Sequence, residues 1–126
     1  MPILSRDQIL KPDVAPTLEL VPVPEWGDGA EVFIGILSGK QRDRIEAALG
    51  AANSTNKPKE SVRALMVAFA ARDAENKPLF GEVDIPALGE LSGVALDRLF
   101  KVSIRLNRMR AQDVAEDSEK NGQIPS

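Results

Sequence analysis

Apolar and polar positions change their period part-way along the chain, near residue 38. Before that point apolar residues recur at every second position; after it they recur at every third or fourth. From Thr17 to Val23 the alternation sets Leu18 and Leu20 on one face and Thr17 and Glu19 on the other, which predicts a half-buried strand. Pro22 and Pro24 lack ladder donors, so this strand belongs at a sheet edge. Glu25-Trp26-Gly27-Asp28-Gly29 has the composition of a turn, and Glu31 to Leu37 alternates again with Val32, Ile34 and Ile36 pointing one way. Together these segments predict a β-hairpin. A lone hairpin is marginal in water, so its apolar face needs a cover. Ahead of the hairpin, Ser5 and Gln8 have the spacing of a capping box and predict a short helical turn, which Pro12 and Pro16 end.

The helical half follows. Ser38 and Gln41 form a second capping-box pattern, and a helix is expected from Gly39 to Leu49 with Ile45, Ala48, Leu49 and Ala52 on one side and Gly50 as its stop. Asn53 to Pro58 reads as a polar loop. Between Lys59 and Arg72 the stripe Val62, Leu65, Met66 and Phe69 is joined by alanines around most of the circumference, which predicts a helix buried in the middle of the fold. Asp84 is placed to cap a short helix through Leu88, with Pro86 in its first turn. A last helix is expected from Ser92 to Met109. Leu91, Ala95, Leu99, Val102, Leu106 and Met109 share a face that Leu96, Phe100 and Ile104 widen. So broad an arc needs two packing partners: the all-apolar helix, and either the hairpin or another subunit. Beyond Arg110 the pattern dissolves into an acidic stretch with little to bury, predicting disorder. The reading is α+β: one domain over 1–110, an N-terminal β-hairpin packed on a small bundle of about four helices, and a flexible acidic tail over 111–126.

Composition narrows the chemistry. The 126 residues include no Cys, no His and no Tyr. Disulfides, thiolate metal sites, cysteine nucleophiles and the usual general base are therefore excluded. Carboxylates, Lys, Ser and Thr remain, a poor set for an enzyme, and neither a cofactor nor a metal is expected. Sixteen basic residues against nineteen acidic ones leave a net charge of -3, without the basic excess of a nucleic-acid binder. No apolar run approaches the ~20 residues that span a bilayer. The start MPILSRDQIL lacks the layout of a signal peptide, so a cytoplasmic protein without membrane contact is expected.

Four local patterns invite a functional reading. Gly35 to Gln41 sits between a strand and a helix, but three residues rather than four separate its glycines and Gln41 stands where a P-loop has Ser or Thr. Asp73, Glu75 and Asp84 approximate calcium-loop spacing, yet Lys77 and Pro78 occupy positions that need an oxygen ligand and a glycine. Arg98, Lys101, Arg105 and Arg108 gather on the last helix as a solvated face or as docking points for acidic residues, and Asp97 is spaced to pair with Lys101. Trp26, the single Trp, either anchors the hairpin to the core or contacts a partner.

The order of three blocks, Ser5-Arg6-Asp7-Gln8-Ile9-Leu10, Val23-Pro24-Glu25-Trp26-Gly27 and Leu37-Ser38-Gly39-Lys40-Gln41-Arg42-Asp43, resembles the tail assembly chaperones of long-tailed, siphovirus-type bacteriophages. Asn76-Lys77-Pro78-Leu79-Phe80, Ala87 to Ser92 and Leu96-Asp97-Arg98-Leu99-Phe100 are similar to later blocks of that family. The resemblance implies a non-catalytic protein of the host cytoplasm, absent from the mature virion. Its implied partners are the tape-measure protein, which it keeps soluble, and tail-tube subunits, which it helps recruit; self-association is a further expectation. A ribosomal frameshift often extends such chains, and Glu119-Lys120-Asn121 can be encoded as GAA-AAA-AAC, which contains a slippery A-AAA-AAC run. The surplus apolar residues Leu96, Phe100 and Ile104, with Trp26, are the expected partner-binding positions. The alternative is a small structural virion protein of the head–tail connector or tail end.

Overall fold

The structure, a computed structural model, describes residues 3–52 and 61–109. The polar loop expected at Asn53–Pro58 and the acidic tail, with its candidate frameshift site, lie outside these residues. Among the described residues the order is α1 (Arg6–Leu10), β1 (Leu18–Pro22), β2 (Glu31–Gly35), α2 (Gly39–Ala52), α3 (Val62–Ala70), β3 (Ala71–Arg72), α4 (Ile85–Leu88) and α5 (Gly93–Leu106), with 3-10 turns at Pro24–Trp26 and Glu82–Asp84. The fold is α+β, as expected.

The hairpin is part of a three-stranded antiparallel sheet in the order β1-β2-β3, so β1 does lie at an edge. Sequence alone missed β3. The all-apolar helix α3 ends at Ala70, and Ala71 turns extended to pair with Ile34 while Arg72 pairs with Phe33. A two-residue strand continuing straight out of a helix carries no period of its own. The Asp73 side chain then closes the turn by accepting from the backbone N–H groups of Glu75 and Lys77, at 2.8 and 3.0 Å. The calcium-like spacing is thus an Asx-type turn, and it returns the chain so that Pro78 bridges to Arg72.

In β1 the buried face is the opposite of the expected one. Val21 and Val23 are buried, whereas Leu20 is 45% exposed. The segment Leu18-Glu19-Leu20-Val21-Pro22-Val23 carries apolar residues at both parities, so alternation within it does not select a face. Its partner does. The register places Val21 opposite Val32 and Glu19 opposite Ile34, and Val32 and Ile34 face the core. Leu18, Leu20, Phe33, Gly35 and Arg72 therefore share the outer face. Ile36 leaves the alternation once β2 ends at Gly35, and Leu37 turns inward in its place.

The helices cover the inner face. α3 is central and packs against α2, α4 and α5, with Ala64 to Ala68 and Ala70 all buried, as its all-round apolar character predicts. The capping box at Ser38 and Gln41 forms in both directions. α2 nevertheless passes through the expected stop at Gly50 and ends at Ala52. Asp84 does not cap α4; its carboxylate reaches back to the Gly81 N–H at 2.8 Å and closes the preceding 3-10 turn. Ser92 caps α5 through the Ala95 N–H. α5 stops at Leu106 rather than Met109 because Arg108 takes a left-handed conformation (φ 55°). The Met109 N–H then reaches the Ile104 carbonyl and the Arg108 N–H the Arg105 carbonyl, a Schellman closure that tucks Met109 into the core. Helical closures of this kind usually show a glycine, and none is present to mark the stop.

Candidate functional site

Helix α5 carries the positions that sequence reasoning singled out, and its surroundings divide them. Leu96, Phe100 and Ile104 are 3%, 6% and 8% exposed, inside the core cluster. The surplus apolar arc is consumed by the fold: α5 packs against α3 and β2 together, so the second packing partner is the sheet. These three side chains offer no free surface to a partner in this conformation. Trp26 is half-buried and packs against the same core, with its indole N–H buried and without an acceptor among the described residues.

The cations of α5 act as docking points for acidic residues. Arg98 donates two bonds of 2.7 Å to the Glu25 carboxylate, and Arg105 donates bonds of 3.0 and 2.5 Å to that of Glu19. Each is a bidentate guanidinium–carboxylate pair, which fixes orientation as well as distance. One clamps the turn after β1 to the helix, the other clamps β1 itself. The Arg98 bonds hold the Glu25 carboxyl at about 2, well below its ordinary value of 4.5. Arg105 likewise lowers Glu19. On the flank, Asp97 accepts from Lys101 at 3.0 Å as the i,i+4 spacing predicts, and from Arg63 of α3 at 3.1 Å. Lys101 first and Arg63 second lower the Asp97 carboxyl.

At the end of α5 the buried Asn107 joins helix to sheet. Its Oδ1 accepts from the Leu37 N–H at 2.7 Å, and its Nδ2 donates to the Ser103 carbonyl at 2.9 Å and to the Gly35 carbonyl at 3.4 Å. Arg42 of α2 completes the knot by donating to the Asn107 carbonyl at 3.1 Å. The glycine–lysine run that superficially resembles a P-loop is consumed here: Leu37 bonds to Asn107, while Ser38 and Gln41 cap each other.

Arg72 was not singled out by its sequence position. It lies across the outer sheet face, and its guanidinium donates to the carbonyls of Phe69 and, at 3.0 Å, Ile36. Gly35 makes room for it, because a Cβ there would stand 3.1 Å from the Arg72 Cγ and 3.3 Å from Leu18 Cδ2. Burial lowers its basicity from the usual arginine value. Among the described residues no carboxylate pairs with it.

Exposed apolar side chains are most concentrated in the N-terminal segment: every residue from Ile3 to Thr17 is exposed, and α1 buries none of its side chains. On the outer sheet face Leu20 is exposed, with Leu18 and Phe33 half-buried beside it, and Val83 and Val94 are exposed elsewhere on the body. A shallow open recess beside Arg63, Gly93, Val94 and Asp97 holds the paired Arg63 and Asp97. Among the described residues no three His, Cys, Asp or Glu groups converge as metal ligands, and no helix is long and apolar enough to cross a membrane.

No family model and no curated protein matches the chain. A solved structure does: that of the bacteriophage HK97 tail assembly chaperone, superposable with a TM-score of 0.57 over 79% of this chain and 90% of that one, at 20% sequence identity. This chain has the fold of that tail assembly chaperone. At 20% identity the likeness lies in the arrangement of elements rather than in shared side chains. In this chain the arrangement is tied together by the two bidentate clamps, the Asn107 knot and the Arg72 band.

Proposed function

We propose that this chain is a phage tail assembly chaperone. It acts without catalysis, binds the tape-measure protein, keeps it soluble and helps recruit tail-tube subunits before leaving the finished particle. The observation that carries this reading is the shared fold, which extends over 79% of the chain. The side-chain inventory supports it, since a holder of apolar helical clients needs contact area rather than acid–base groups. The exposed Ile3, Leu4, Ile9, Leu10 and Val14 of the N-terminal segment, and Leu20 on the outer sheet face, supply such area outside the core.

Co-expression with the tape-measure protein of the same phage tests the reading. The expected result is a soluble complex that co-purifies, from a partner that is insoluble alone. If the short and any frameshift-extended form both leave the partner insoluble, and the chain is found in purified virions, the structural-component alternative replaces it.

A further inference from the structure

We draw no further inference here: the strongest candidate, the exposed apolar surface patch of the N-terminal segment at Ile3, Leu4, Ile9, Leu10 and Val14, carries nothing, because nothing in the structure shows what covers it.

Discussion

Asn107 is a single polar side chain on which three elements depend. It satisfies the Leu37 N–H at the entry to α2, the Gly35 carbonyl at the end of β2 and the Ser103 carbonyl in α5. Asn107→Ala leaves a buried donor and a buried acceptor without partners, and the expected loss is about 2 kcal/mol, of the size usual for such orphaned groups. Chemical denaturation checks this, and an unchanged midpoint would show that water replaces the amide. One residue further along the chain, Arg108 illustrates the reverse. It holds a left-handed conformation that glycine adopts without a Cβ penalty, and its side chain is exposed. Arg108→Gly should therefore stabilise the chain by roughly 0.5–1 kcal/mol, even though it removes a charge. Neither role is visible in sequence. An Asn or an Arg after a helical stretch has no periodicity, and what each does depends on the element that arrives beside it.

At the scale of elements, α5 is tied to the hairpin by apolar packing on its inner side and by Arg98–Glu25 and Arg105–Glu19 on its rim. Folded Glu25 is held at about 2 against an ordinary 4.5. Its contribution is thus fully present above pH 4.5 and is lost as the pH falls toward 2, because the unfolded chain takes up the proton first. Glu19 is lowered in the same direction. Glu25→Gln should flatten the dependence of stability on pH within that window and leave it unchanged near neutrality apart from the loss of the pair. Melting curves from pH 5 to 2 check this; parallel acid profiles for parent and variant would remove the clamp from the account. The elements themselves were largely legible: the edge strand, both capping boxes, the buried α3 and the Asp97–Lys101 pair follow from spacing. The pairing of Arg98 and Arg105 with Glu25 and Glu19 was legible only as a type of role, since it spans more than seventy residues. Leu96, Phe100 and Ile104 were misplaced at the surface for a related reason. The width of an apolar arc shows how much must be covered, while only the third dimension shows that the sheet already covers it. α2 adds a test of its own. Gly50 lies within the helix, exposed, with open space where a Cβ would stand. Gly50→Ala should raise stability by about 0.5 kcal/mol, less than a mid-helix site because the end is two residues away.

For the whole molecule, the separation between body and arm decides what folding requires. The body from Leu18 to Met109 contains every buried residue among those described, and residues 3–17 contain none. Hydrogen bonding agrees: the arm's bonds run within the arm, while both clamps and the Asn107 knot lie within the body. Loss of a segment costs stability through the apolar surface and backbone partners it withdraws. A chain starting at Pro16 should therefore melt within about 2 °C of the full chain at low concentration, since 1 kcal/mol is worth roughly 4–8 °C in a domain of this size. Dilute thermal unfolding followed by circular dichroism measures it. A drop of 5 °C or more would mean that the arm packs on the body in solution. An unchanged midpoint makes the arm dispensable for folding. Its exposed Ile3, Ile9, Leu10 and Val14 would then be apolar surface that the described body leaves uncovered, a concentration of exposed apolar side chains of the kind that marks contact sites.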